Sequence, residues 1–196
     1  MEAILKRMRL LTRVVFPALL LSQLALAQQG TRIVYLVRHA EAESSAPDAA
    51  LTPAGQKRAE CLARTFKDAG IKQIFVSDAK RTQETAAPLA KELKIKPTIV
   101  PAKDPNTLIR DLLYSGGGNI LVVSHSDRLP FVIARMNAGT VEPIGADEYD
   151  RLFVTTVIQS GATHVSTLRY CDCASAPAPA THHAPVRHKK GTVKKK

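Results

Sequence analysis

Four side chains in this sequence have the types and the spacing for phosphoryl chemistry: Arg38, His39, Arg81 and His125. Arg38-His39-Ala40-Glu41 directly follows the apolar run Ile33-Val34-Tyr35-Leu36-Val37. A short β-branched run of this kind reads as a buried parallel strand. The histidine therefore stands just past a strand's carboxyl end, where open α/β sheets place their ligands. The arrangement recurs downstream, where Ile120-Leu121-Val122-Val123 runs into Ser124-His125. A third run, Ile71 to Val76, leads into Ser77-Asp78-Ala79-Lys80-Arg81-Thr82. A neutral imidazole, with an unperturbed pKa of about 6.5, is a competent nucleophile near neutrality. A guanidinium stays charged and meets phosphate oxygens with two parallel hydrogen bonds. Two of each, delivered by three strand ends, suit the gripping and attack of a phosphoryl group.

The elements that must position these residues follow from periodicity. Thr52-Pro53 predicts a helix start, with threonine as N-cap and proline in the first turn. Ala59, Leu62, Ala63, Phe66 and Ala69 continue it at helical spacing to Gly70. Cys61 falls off that stripe. Lys80 to Leu93 reads as a second helix with Arg81 near its start. Thr98-Ile99-Val100 reads as a short strand, and Asp104-Pro105 as the start of a third helix running through Leu108, Leu112 and Leu113. Ser115-Gly116-Gly117-Gly118-Asn119 lacks the trailing Lys-Ser/Thr of a P-loop and reads as a connector. A fourth helix is predicted over Leu129 to Asn137. Two closing strands, Arg151 to Ile158 and His164 to Tyr170, would be joined by the turn Gln159-Ser160-Gly161-Ala162. Alternating strands and helices predict a three-layer α/β/α sandwich, with a mostly parallel sheet and an antiparallel C-terminal hairpin.

Taken in order, strand-Arg-His-Ala-Glu, then Ser-x-x-x-Arg-x-x-x-Thr-Ala (Ser77, Arg81, Thr85, Ala86), then strand-x-His resembles the histidine phosphatase superfamily, also called phosphoglycerate mutase-like. The resemblance spans roughly Thr31 to Tyr170. It implies a covalent phosphohistidine at His39, with Arg38, Arg81 and His125 holding the phosphate. No cofactor and no metal are implied. The mutase-like branch also places an acidic residue between the second arginine and the second histidine. Asp104 occupies that stretch, and Asp104 before Pro105 is equally a good helix N-cap. Asp127 and Glu41 are the other candidates for protonating the leaving group. The acid phosphatase branch has aspartate directly after the second histidine. Here Ser126 stands there, and Ser124 replaces the glycine common before that histidine. Arg32 and Arg128 read as surface charges, and His164 as structural.

The ends of the chain differ from its middle. Lys6, Arg7, Arg9 and Arg13 precede an apolar stretch, Val14 to Ala27, that ends in the A-x-A pattern Ala25-Leu26-Ala27. This reads as a secretory signal peptide over residues 1–27, cleaved before Gln28. The stretch is short of the ~20 residues that span a bilayer, so no transmembrane segment is expected after cleavage. Residues 28–173 would form the catalytic domain. Residues 174–196, rich in Ala, Pro, His and Lys, read as a disordered basic tail. Of the net charge of +11, +3 falls in residues 1–27 and +6 in residues 174–196. The domain itself carries only +2, which excludes a dedicated nucleic-acid-binding face. The lysine-rich end could hold anionic surfaces weakly. In an oxidising compartment Cys61 could pair with Cys171 or with Cys173, leaving one thiol over.

The expectation is an exported (periplasmic or secreted), metal-independent phosphatase. Its substrate would be a phosphorylated small molecule or a phosphoprotein side chain. The rivals are a mutase-like phosphotransferase and a non-catalytic phosphate-binding module with a cationic anchoring tail.

Overall fold

The computed structural model describes residues 31–158 and 161–171. Seven strands form one sheet: β1 (Arg32–Arg38), β2 (Ile71–Val76), β3 (Thr98–Ile99), β4 (Asn119–Ser124), β5 (Arg151–Ile158), β6 (Gly161–Ala162) and β7 (Ser166–Arg169). Their order is β3-β2-β4-β1-β5-β6, with β7 also paired to β5. The strands β3, β2, β4 and β1 run parallel. β5 is antiparallel to β1, and β6 and β7 are antiparallel to β5. The helices are α1 (Pro53–Phe66), α2 (Lys80–Leu93), α3 (Pro105–Tyr114) and α4 (Leu129–Arg135).

The parallel strands are buried on both faces, which is why they read as continuous apolar runs. On one face Leu62 and Phe66 of α1 and Leu89 of α2 pack over Val37, Ile74 and Leu121. On the other, Leu108 and Leu112 of α3 and Leu129 and Ile133 of α4 pack over Leu36, Ile120 and Val122. These are the three layers that the alternation of elements predicts. The helix starts follow local chemistry as well. Thr52 accepts a hydrogen bond from the Gly55 N–H at 3.1 Å, and Asp104 accepts one from the Thr107 N–H at 3.1 Å.

Two expectations need correction. The last strand is not continuous from His164 to Tyr170. The return chain pairs with β5 at Gly161–Ala162, leaves the ladder, and pairs again at Ser166–Arg169. At the break the Val165 N–H turns away to donate to the Ala138 carbonyl at 2.8 Å, while Thr155 Oγ1 donates to the Thr163 carbonyl at 2.8 Å. His164 sits in this break, exposed. Arg32 is not a surface charge. It is only 8% exposed. Its Nε and Nη2 donate to the Leu112 carbonyl at 3.2 and 2.8 Å, with further hydrogen bonds to the carbonyls of Leu113 and Ser115. A buried guanidinium thus satisfies the free carbonyls at the end of α3.

The third cysteine question is settled in part. Cys61 on α1 and Cys171, just past β7, form a disulfide. Cys173, the N-terminal signal-like segment, the Gln159-Ser160 turn and the basic tail lie outside the described residues. Among the described residues no helix is long and apolar enough to cross a membrane.

Candidate active site

β1 and β4 are neighbours in parallel register, with Arg38 opposite Ser124. Their carboxyl ends therefore lie level. The His39 N–H extends the ladder by donating to the Ser124 carbonyl at 2.8 Å. This puts the rings of His39 and His125 edge to face, 5.4 Å between centroids. His39 is 8% exposed, and its Nδ1 is 2.8 Å from the Ala40 carbonyl oxygen. A carbonyl can only accept, so Nδ1 carries the proton and Nε2 keeps the lone pair. Burial pushes the His39 pKa down to about 4. The Ala40 hydrogen bond opposes this, and the charges of Arg81, His125 and Arg38 reinforce it. His39 is therefore neutral at pH 7.

The opposite ring is held differently. His125 Nε2 is 2.9 Å from Ser77 Oγ, and its Nδ1 is 3.4 Å from Arg81 Nη2. The guanidinium must donate, so Nδ1 accepts and Nε2–H donates to Ser77. Ser77 then passes its own proton toward Thr82 Oγ1 at 2.9 Å, and Thr82 donates to the Ala79 carbonyl at 2.7 Å. Burial, then the charge of Arg81, lowers the His125 pKa. Ser77, Arg81 and Thr85 are spaced four apart, Ser77 in the connection before α2 and Arg81 and Thr85 on its first turns. Thr85 Oγ1 accepts from the Ala40 N–H at 2.9 Å, which ties α2 to the residue after His39.

A cavity of about 180 Å³ opens between these ends, lined by Arg38, His39, Ala42, Ser44, Ser45, Arg81 and Tyr149. Arg38 is 9% exposed. Its Nη1 donates to the carbonyls of Gly145, Ala146 and Glu148 at 2.9, 2.6 and 3.2 Å. Its buried Nε has no hydrogen-bond partner. Arg81 Nη1 donates to the Ala46 carbonyl at 2.9 Å. An unpaired, buried guanidinium N–H beside a cavity is costly unless a ligand takes it. The arrangement has the donors to take an oxyanion and, beside them, a neutral imidazole with a free lone pair.

The carboxylates do not join this cluster. Asp104 caps α3 through Thr107, with Thr107 Oγ1 donating at 2.7 Å. The Thr107 hydroxyl and N–H hold its carboxyl below the ordinary range, whereas a general acid needs a raised pKa. Asp104 lines a separate, smaller cavity of about 20 Å³ with Ser77, Leu108 and Arg128. Of its two expected roles, capping is the one its contacts support. Glu41 faces Arg58, whose Nη2 donates at 2.7 Å and Nε at 3.0 Å. Burial pushes the Glu41 pKa up, but the Arg58 hydrogen bond and charge outweigh it and keep it lowered. Asp127 is exposed and 3.3 Å from Arg128 Nε. Among the described residues no three His, Cys, Asp or Glu side chains gather as a metal site.

Sequence reasoning passed over Arg58, Glu148 and Tyr149. Arg58 is charged on a helix whose apolar stripe drew the attention, yet it is buried against Glu41. Tyr149 lies in a stretch without periodicity, Gly139 to Asp150. Its ring stacks on Arg38, 4.0 Å from the guanidinium carbon to the centroid, and stands 6.1 Å from the His39 ring. The only sequence signal was an acidic and aromatic run, Asp147-Glu148-Tyr149-Asp150, directly before a strand.

No curated protein matches the sequence. Among solved structures, an Escherichia coli protein provisionally assigned as an alpha-ribazole-5'-P phosphatase superposes with a TM-score of 0.60 at 17% identity, covering 71% of this chain and 97% of that one. The protein histidine phosphatase SixA, solved with tungstate, gives 0.56 at 18% identity, covering 70% and 95%. The alpha-ribazole phosphatase of Shigella flexneri gives 0.56 at 18% identity, covering 67% and 94%. At these identities the likeness is one of fold. The family description histidine phosphatase superfamily (branch 1) matches residues 34–102, the stretch that carries Arg38, His39 and Arg81. Residues 34–102 thus resemble the histidine phosphatase superfamily (branch 1), and the chain shares the fold of the phosphatases above.

Proposed function

We propose that this protein is an exported phosphatase that hydrolyses a phosphomonoester, or a phosphorylated protein side chain, through a covalent phosphohistidine at His39. The observation that carries the reading is the His39 tautomer. With Nδ1–H held by the Ala40 carbonyl, the lone pair of Nε2 is the one free to attack phosphorus. In the first step the Nε2–P bond forms as the bond from phosphorus to the leaving group breaks. In the second, water attacks phosphorus, the P–Nε2 bond breaks, and inorganic phosphate leaves. Arg38 and Arg81 neutralise the equatorial oxygens in both steps, and positioning supplies most of the rate. His125, once protonated at Nδ1, donates to the same group.

Export is supported by the A-x-A pattern before Gln28 and by the Cys61–Cys171 disulfide. Metal independence is the natural counterpart of a nucleophile and two guanidiniums that already supply attack and charge.

The test is intact-protein mass spectrometry after an acid-free quench with a generic aryl phosphate in buffer containing EDTA. One transient phosphoryl adduct is expected, absent in His39→Ala. Phosphate release by His39→Ala, or loss of activity on chelation, overturns the mechanism. Phosphate binding with neither adduct nor turnover would leave a phosphate-binding module.

A further inference from the structure

We propose that Glu148 is a positioning residue: it fixes the turn whose carbonyl oxygens hold Arg38 in the orientation that presents its free edge to phosphate. The inference rests on reading the cavity as a phosphate site. A guanidinium has five N–H donors in a rigid plane. Three carbonyls of one short turn converge on Nη1 of Arg38, from Gly145, Ala146 and Glu148. The donors that remain include Nε–H, buried and without a partner. Nε–H and the adjacent Nη2–H form the edge of the fork that can take two oxygens of one phosphate. The turn thus decides which edge of Arg38 is left for the ligand.

What keeps three carbonyl oxygens pointed inward is Glu148. Its own N–H donates to the Gly145 carbonyl at 3.2 Å, and its Oε2 accepts from the Gly145 N–H at 3.1 Å. The turn is closed from both directions by one residue. Its Oε1 accepts from Arg151 Nε and from Arg169 Nη2, both at 2.8 Å. The same carboxylate therefore clamps the turn to the start of β5 and to the end of β7. The Gly145 N–H, then Arg151 and Arg169, hold its pKa down to about 2, so the clamp stays ionised through the working range. Tyr149, next in sequence, places its ring over the guanidinium plane. Glu148 has no contact with the cavity and acts only through Arg38.

The experiment compares Glu148→Ala, Glu148→Gln and Glu148→Asp in the whole oxidised protein. Inorganic phosphate binding is measured by calorimetry, and kcat and KM with an aryl phosphate. Glutamine keeps the reach and an acceptor oxygen for the Gly145 N–H. Aspartate keeps the charge but withdraws it by one methylene. The expected result for Glu148→Ala is a weakening of phosphate binding of about 10- to 100-fold, the scale on which small misplacements are felt. KM should rise in parallel, with a smaller change in kcat. Glutamine should restore part of the affinity through the Gly145 N–H, since its NH2 can only donate and cannot hold Arg151 and Arg169, and aspartate, one methylene short of that N–H, should restore less. Should the alanine variant fail to fold, the order of glutamine and aspartate decides alone. Wild-type affinity in Glu148→Ala, or aspartate rescuing better than glutamine, overturns the inference and leaves the phosphatase reading intact. If the wild-type protein itself binds no phosphate, both readings fall.

Discussion

The chemistry of this site turns on which nitrogen of one imidazole holds a proton. His39 has its Nδ1–H fixed by a backbone carbonyl one residue away, so the tautomer is local to the chain and independent of any side chain. Burial then lowers its pKa to about 4. In the proposed mechanism the unprotonated form is the active one, so a lowered pKa widens the active range toward acid. The acid limb of kcat/KM, which reports free-enzyme groups, is expected near pH 4–5, once the substrate's own second ionisation near about pH 6 is allowed for. A limb at pH 6.5 would mean an unperturbed imidazole and would defeat the geometric account. Stability moves in the same direction. The unfolded chain takes up this proton near pH 6.5 and the folded chain only near pH 4. Between the two, unfolding is accompanied by proton uptake, so stability falls as pH drops through this window and is fully present above it. His125, lowered by the same cause, adds to the effect. Both residues were legible in the sequence because each follows a strand that could be recognised. The protonation state was not, since it depends on the rotamer and on burial.

At the scale of elements, the site depends on how closely α1 approaches the chain just past His39. Thr52 Oγ1 accepts from Gly55 and donates to the Glu41 carbonyl at 3.3 Å, and the Thr52 N–H donates to the same oxygen at 2.9 Å. Gly55 lies so near that a Cβ there would collide with the Glu41 carbonyl oxygen and stand only 3.0 Å from its carbon. Two effects compete in Gly55→Ala. Alanine favours a helix by up to ~1 kcal/mol, but overpacking against backbone costs ~1–3 kcal/mol. The collision is with main chain, which cannot step aside by rotating a side chain, so the second should win. The expected outcome is a lower melting temperature and a loss of kcat/KM of about 10-fold or more, because Glu41 can retreat only by moving Ala40, the acceptor for His39. A more stable and equally active variant would show that α1 merely rests against this segment. The N-cap at Thr52 was readable from Thr-Pro. The close approach was not, because a glycine in a helix's first turn carries no sign of its neighbour. Arg58 illustrates the same limit: a charge at helical spacing reads as solvent-facing until the tertiary fold supplies Glu41.

The whole molecule divides into two parts with different holds on the site. The parallel strands β1 and β4 lead directly into His39 and His125, β2 leads into α2 with Arg81, and all three strands are covered by helices on both faces. The antiparallel margin, β5 to β7, supplies Glu148 and Tyr149 just before it and Arg169 at its far end, and β7 is exposed along its length. The alternation of elements made the first part legible. The second was harder, because its return strand is broken and its contacts are ion pairs between residues far apart in sequence. Besides the β1–β5 ladder, the margin is fastened to the parallel part by the disulfide from Cys61 on α1 to Cys171, 110 residues away. Beside it, Arg58 Nη1 donates to the Cys171 carbonyl at 3.0 Å. A bridge closing a loop this long removes much entropy from the unfolded chain, and such bridges typically contribute ~2–4 kcal/mol. Reduction, or Cys61→Ser, is therefore expected to lower the melting temperature by roughly 5–15 °C, at about 2–4 °C per kcal/mol for a domain of this size. The loss should not be uniform, because local opening follows the weakest attachment. Hydrogen exchange on the reduced protein should rise first in residues 145–150 and 166–171, while Val34 to Val37 and Ile120 to Val123 stay protected. Because the turn that holds Arg38 lies in the part that loosens, phosphate affinity should weaken before the fold is lost. Exchange rising equally in β1 and β4, or an unchanged unfolding midpoint on reduction, would show instead that the molecule stands or falls as a single unit without this bridge.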